Sequence, residues 1–350
     1  MSPFILVGGA LLVDALLGDP ETPLHPVRLM GRLAAAIEGA ARRAARRGGR
    51  RDAPEAEPRA RTGLVVRGAL AWACVVGISA GTAALLLWLA RLAGAALGGA
   101  LGKAPAPGAR IGEGLAAILL VYVSIAPRDL AKHALRVRRA LRDGGLEEGR
   151  KAVSMIVGRD VERLDEAGVV RACIESVAES AVDGVVAPIF WALTLGPIGA
   201  VAYRAINTLD SSWGYRDERY LHFGRVAARA DDVANWLPAR LGFLAAILAA
   251  LILGRDAGGA ARIGWRDRRK HESPNAAWLE ACFAGALRVR LGGPAWYGGE
   301  RLGKPFLGDD LRPVEIADIG RSVALMYTTA LIFAAAGAGI ATLVAAVLAR

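Results

Sequence analysis

The stretch Glu175-Ser-Val-Ala-Glu179-Ser-Ala-Val-Asp183-Gly184 holds three carboxylates four residues apart. On a helix that spacing places all three on one face, where they repel one another. Asp165 is placed to cap such a helix, and Gly184 to end it or bend it into the apolar run that follows. At the centre of a bilayer each carboxylate costs about 2.5–3.5 kcal/mol, so the stripe needs a cation or arginines beside it. Hard oxygen ligands of this kind suit magnesium, which is usually held by one or two carboxylates plus substrate phosphates. An ordinary solvated face paired with arginines is the alternative. The stripe carries no Lys or Arg of its own and runs directly into Val185-Val-Ala-Pro-Ile-Phe-Trp191, which favours the metal reading.

Other polar groups stand at the ends of apolar runs. They are Asn207-Thr-Leu-Asp210, Asp231-Asp232-Val-Ala-Asn235 with Arg240, and Gly18-Asp19-Pro20 followed by His25-Pro-Val-Arg28. Each reads equally as helix caps and interfacial anchors or as ligand-binding groups. Gly158-Arg159-Asp160, Arg204, Arg225 and Lys304 are candidates for phosphate recognition, but no GxxxxGK[ST] or strand-borne GxGxxG is present, which excludes a P-loop or Rossmann nucleotide site. A last group, His271-Glu-Ser273-Pro-Asn275 continuing to Gly292-Gly-Pro-Ala-Trp-Tyr297-Gly-Gly-Glu300, mixes aromatic, amide and charged side chains. Such a segment is either a site for a large polar ligand or a plain connector.

These groups must be positioned by helices in a membrane. Of 350 residues 54% are hydrophobic and 6% aromatic, and the formal charge is +11. That combination predicts an all-α, polytopic integral membrane protein with anionic partners, lipid among them. No nucleic-acid module is found, so nucleic acid is not expected as a partner. Cys74, Cys173 and Cys282 are too far apart for a disulfide framework or a zinc knuckle, and the four histidines form no i, i+4 pair. The first apolar run lacks a basic leader and carries Asp14, so it is not read as a cleaved signal.

Leu64 to Leu89 and Val323 to Leu348 are long enough to cross a bilayer. Shorter runs lie at 4–17, 111–126, 185–206 and 237–253, which leaves between four and six spans. The segment 28–67 holds eleven arginines against Glu38, Asp52, Glu55 and Glu57, and a basic cytoplasmic loop is expected over 28–63, flexible from Arg46 to Pro58. Gly94 to Gly108 reads as a short exposed loop on the opposite side. The polar helical segment 127–184 and the polar segment 254–322 then return to the cytoplasm, within a single membrane-embedded domain 1–350. One shared site requires the runs at 185–206 and 237–253 to be re-entrant or buried.

Together these stretches resemble the CobD/CbiB family, the adenosylcobinamide-phosphate synthases. The resemblance rests on Leu17-Gly-Asp-Pro20 with His25-Pro-Val-Arg28, Ile156-Val-Gly-Arg-Asp160, Glu175 to Pro188, Asn207-Thr-Leu-Asp210, Asp231 to Leu241, and His271 to Gly293. It implies an ATP-dependent ligase of cobalamin biosynthesis in the inner membrane, with its active site facing the cytoplasm. The reaction joins (R)-1-amino-2-propanol, or its O-phosphate, to a propionate of adenosylcobyric acid. The resemblance does not decide between the two amines or whether the chain forms a homo-oligomer. Magnesium ligands are then sought among Glu175, Glu179, Asp183 and Asp210, and catalytic carboxylates among Glu179, Asp183, Asp231 and Asp232. Substrate contacts are sought among His25, Arg28, Arg159, Asn207, Asn235, Arg240, His271, Ser273 and Asn275. Two rivals stay open: a membrane prenyltransferase, since Asp231-Asp232-Val-Ala-Asn235 is similar to DDxxD, and a non-enzymatic AmpE-like regulator.

Overall fold

A computed structural model describes residues 1–20, 22–47, 58–102, 104–215 and 217–349. Helices dominate them, and five helical stretches are long and apolar enough to cross a membrane: Arg61–Ala100, Pro105–Val153, Glu166–Trp213, Arg225–Ile252 and Ile316–Leu348. The protein is therefore an all-α polytopic membrane protein, with strands confined to two short ribbons. Two compact units are distinguished along the chain. One comprises Met1–Ile125, Pro188–Ala234 and Val344–Arg350, and the other Ala126–Ala187 and Asn235–Leu343.

The first unit contains α1 (Pro3–Leu17), α2 (Pro26–Arg47), α3 (Pro58–Ala100) and α4 (Pro105–Tyr122). It also takes most of α7 (Ala187–Trp213) and the start of α8 (Arg225–Ile252). The expected loop at 94–108 is almost entirely helical, with only residues 101–104 between α3 and α4. Its glycines are contact points: a Cβ on Gly108 would collide with the Gly94 carbonyl, and one on Gly112 with that of Ala90. In lipid, where apolar burial drives little association, such small residues let two backbones pack closely.

The basic segment 28–63 is helical over 28–47 and again from residue 58, and residues 48–57 of the expected flexible loop lie outside the described residues. Amphipathicity explains α2: Ala34 is buried, and Leu33, Ile37 and Ala41 pack beside it against Ala71, Val75, Leu209, Trp213 and Phe223. The run 185–206 is interrupted at Gly196, whose φ of 71° ends a helix that Pro197 then restarts. By contrast α8 runs unbroken through Pro238, and half of its apolar stretch is buried.

The second unit holds α5 (Pro127–Val153) and α6 (Glu166–Ala181), followed by a π-helical turn at Val182–Val186. Next come α9 (Ala257–Asp267), α10 (Ala276–Leu287) and most of α11 (Ile316–Leu348). Asp165 caps α6 as expected, accepting from the Gly168 N–H at 2.6 Å. Gly184 neither ends the helix nor leaves it regular. The wide turn lets its carbonyl accept from the Ala126 N–H at 2.9 Å, at the start of α5. Every residue of α10 is buried, and the helix packs against α6 and α9. Its only ionisable carboxyl is Glu280.

Between α10 and α11 lie β1 (Leu291–Gly292), β2 (Ala295–Tyr297), β3 (Glu300–Leu302) and β4 (Phe306–Leu307). The pairs β1–β4 and β2–β3 are antiparallel ribbons. Gly298 and Gly299, with φ of 58° and 84°, form the two-residue turn of the second.

Candidate active site

In the second unit, residues from four separate segments of the sequence converge on the acidic stripe of α6. Arg159 lies between α5 and α6, where its guanidinium donates to Glu175 Oε2 at 2.5 Å. Glu175 is buried, and its other oxygen accepts from the Gly292 N–H at 2.6 Å, at the end of β1. The positive compensation that the stripe demands is therefore an arginine sixteen residues upstream. Burial works against the Arg159 charge, but the Glu175 carboxylate outweighs it and holds the guanidinium more firmly protonated than usual.

The residue after Arg159 fixes the β2–β3 ribbon. Asp160 accepts from the N–H groups of Gly298 and Gly299 at 3.1 and 2.8 Å, and its own N–H donates to the Trp296 carbonyl at 2.8 Å. The Arg163 guanidinium lies 3.8 Å from the centre of the Trp296 ring. This clamp holds Tyr297, whose hydroxyl accepts from Lys304 Nζ at 2.6 Å. Lys304 in turn acts electrostatically on both Glu280 and His271.

The three carboxylates of the stripe have different environments. Glu175 is fixed, Glu179 is exposed, and Asp183 is half-buried within the π turn. Opposite them, burial pushes the Glu280 carboxyl well above the ordinary range, and the charges of Glu179 and Glu175 push it further. Arg159 and Lys304 counter this only in part, so the Glu280 carboxyl holds its proton more firmly than an exposed glutamate does. Burial lowers the His271 imidazole below its ordinary value, and Lys304 adds to this, while Glu179 opposes it. The result is a neutral base near an exposed carboxylate. His271 Nδ1 accepts from the Ser273 N–H at 3.0 Å, and Ser273 Oγ accepts from the Asn275 N–H at 3.2 Å. Arg240 donates to Asn275 Oδ1 at 3.1 Å, so these predicted substrate contacts form one connected group. Asn235, at the start of this unit's part of α8, is buried.

The remaining predicted residues belong to the first unit. Asn207 Nδ2 donates to Asp231 Oδ1 at 3.2 Å, both side chains being buried, while Asp210 and Asp232 are half-buried on α7 and α8. His25 Nε2 stands 2.7 Å from Asp19 Oδ1, and Arg28 is exposed at the start of α2. Among the described residues no three His, Cys, Asp or Glu side chains are gathered as a metal site. Both Glu175 oxygens are engaged by protein groups, which sets that carboxylate apart as a structural member of the stripe.

In the sequence Glu280 closes the polar group that begins at Trp265 and receives no role there, although a lone acid in the twelve-residue apolar segment 276–287 is a signal. The ribbon was missed too, although Tyr297-Gly-Gly-Glu300 has the form of a two-residue hairpin turn.

A family model described as CobD/Cbib protein matches residues 7–326. The chain is 41% identical over 318 residues to the cobalamin biosynthesis protein CobD of Klebsiella pneumoniae subsp. pneumoniae, covering 91% of each chain. It is 41% identical to CobD of Streptococcus sanguinis over 320 residues, 91% of this chain and 92% of that one. To the cobalamin biosynthesis protein CbiB of Salmonella typhi it is 40% identical over 318 residues, 91% of each. No solved structure matches it. Neither the prenyltransferase nor the regulator reading is supported by these matches, and the chain belongs to the CobD/CbiB family of cobalamin biosynthesis proteins.

Proposed function

We propose that this protein joins (R)-1-amino-2-propanol, or its O-phosphate, to a propionate of adenosylcobyric acid at the expense of ATP. The observation that carries the proposal is the cluster in the second unit, where Arg159 is paired with Glu175, Lys304 with the Tyr297 hydroxyl, and the exposed carboxylate of Glu179 acts on both the His271 imidazole and the Glu280 carboxyl. A carboxylate does not acylate an amine unaided. The propionate oxygen attacks the γ-phosphorus of ATP, breaking its bond to the bridging oxygen and giving an acyl phosphate and ADP. The amine nitrogen then bonds to the acyl carbon, and phosphate departs with the C–O electron pair.

His271 takes the proton that the ammonium must lose, a role also open to Asp231 or Asp232, because burial keeps its imidazole unprotonated. Lys304 and Arg159 stabilise negative charge on the transferring phosphoryl group and on the tetrahedral oxyanion. Glu280, its carboxyl pushed up by burial, is the proposed proton donor of the same cluster. Glu179 and Asp183, or alternatively Asp210, would hold a magnesium ion, which would supply neutralisation of phosphate charge when bound. The cluster faces the cytoplasm at the inner membrane, and single cysteines near positions 160, 210 and 275 are expected to label from that side.

The test is Glu179→Gln, which keeps the side chain's volume and removes its charge. Membrane-embedded protein is assayed by mass spectrometry with adenosylcobyric acid, ATP and either amine across a magnesium titration. Loss of most product at limiting magnesium, with partial recovery at high magnesium, is expected, since mass action offsets a weakened site. Turnover near that of the unaltered protein at limiting magnesium removes Glu179 from the site. Full activity of the unaltered protein in excess EDTA removes the magnesium.

A further inference from the structure

Beside the cluster, and wholly within the second unit, lies a cavity of about 860 Å³. Its walls combine Trp236, Phe243, Trp265 and Trp278 with Arg240 and Arg268. Phe243 and Trp278 are its buried aromatic members, and the Trp278 ring centre lies 5.2 and 5.8 Å from those of Phe243 and Trp265. The two guanidiniums are already arranged on these rings: Arg240 lies 4.2 Å from the centre of Trp236, and Arg268 3.8 Å from that of Trp265. Both of those indoles are more than half exposed, at 54% and 58%. Large aromatic faces left open around a concave site, with a few converging polar groups, mark a ligand pocket.

His271 and Glu272 form part of the same wall. The hydrogen-bonded group of His271, Ser273, Asn275 and Arg240 has both of its ends, His271 and Arg240, in this wall, which ties the cavity to the reacting cluster. Its occupant must be broad and flat enough to lie against indole faces, must carry amide or carboxylate oxygens for two guanidiniums, and must present one acyl arm to His271. An amino alcohol of a few atoms cannot fill it.

We infer that this cavity seats the corrinoid, with its macrocycle beside the exposed indoles of Trp236 and Trp265 and its reacting propionate directed toward His271. The inference rests on the function proposed above and adds to it the place where the large substrate binds. Arg240 and Arg268 serve as donors to the ring's peripheral amides. The cavity is then the specificity-determining part of the second unit.

The test uses the full chain in detergent, with adenosylcobyric acid as the probe and its visible absorbance as the readout of equilibrium binding. The variants are Trp265→Leu and Arg268→Gln, at an exposed and a half-buried position, with size-exclusion profile and yield as folding controls. Each is expected to raise the Kd for the probe about tenfold while the KM values for ATP and amine stay unchanged. An unchanged Kd in both folded variants overturns the assignment. So does a rise confined to the KM for ATP, which makes the cavity a nucleotide site. So does a defect that appears without lipid and vanishes in anionic phospholipid nanodiscs, which makes it a headgroup site. If the unaltered protein neither binds nor converts the probe, the proposed function itself fails, whereas conversion with unchanged variants removes only the cavity.

Discussion

The ion pair between Arg159 and Glu175 is the contact on which the cluster's arrangement most depends, and Arg159→Met tests it. Methionine keeps most of the side-chain length and removes the charge. Glu175, with a side chain only 7% exposed, then retains a single hydrogen bond from the Gly292 N–H. Removing one partner of a buried ion pair typically costs about 3–5 kcal/mol, because the other charge is left without compensation. For a unit of this size, about 2–4 °C of Tm per kcal/mol converts that cost to a fall of about 6–20 °C. The assay is thermal unfolding of the detergent-solubilised protein, followed by tryptophan fluorescence. Glu175→Gln placed in the Arg159→Met background removes the stranded charge yet can still accept from Gly292, so it is expected to recover most of the loss. An Arg159→Met protein within about a degree of the unaltered one, or a double variant no better than the single, refutes the account.

Three further outcomes follow from the same geometry. The native Glu280 carboxyl binds its proton more tightly than the unfolded chain does, so stability falls as pH rises past the ordinary 4.5; Glu280→Gln should flatten that dependence, and identical Tm-against-pH curves would count against it. Burial opposes the Asp267 charge, but Arg266, Lys270 and the Gly308 N–H outweigh it and bring its pKa to about 2 from 3.8. Its contribution of about 2 kcal/mol is therefore present above pH 3.8 and lost as pH falls toward about 2, and Asp267→Asn should show that loss in Tm at neutral pH. In the first unit Gly108→Val drives a side chain into the Gly94 backbone, so the yield of folded protein after solubilisation should collapse; a normal yield would mean that α3 and α4 do not pack there.

What was legible in the sequence is what depends on neighbours along the chain. Uninterrupted apolar runs predict α3 and α11, and Asp165 stands where a cap must be. The misreading of 94–108 has a physical cause. Glycine and proline disfavour a water-exposed helix, yet glycine permits backbone contact between helices in lipid and proline is tolerated in a first helical turn, and composition alone does not distinguish the two. Likewise the arginines of α2 suggest a solvated loop, although Leu33, Ala34, Ile37 and Ala41 recur at helical spacing and form its packed face.

The acidic stripe shows why a site is harder to read than a fold. Helical periodicity places Glu175, Glu179 and Asp183 on one face and treats them alike, and nothing within the stripe separates them. Their differences come from residues far away in sequence: Arg159 and Gly292 fix the first, whereas the second stays exposed within electrostatic reach of His271 and Glu280. The distant groups are themselves placed by features that carry no chemistry, such as the Gly298-Gly299 turn held by Asp160 and the close packing of α10 against α6 and α9. Glycines and an aspartate that touch no substrate therefore decide which carboxylate is left exposed. On that reasoning Asp160→Asn, which weakens the clamp without altering any group in the cluster, should lower activity through displacement of Tyr297 and Lys304. A kcat that falls together with the loss of protection of the 295–302 ribbon in hydrogen exchange would establish it, and a lowered kcat with the ribbon's protection intact would show that Asp160 acts on the reaction directly.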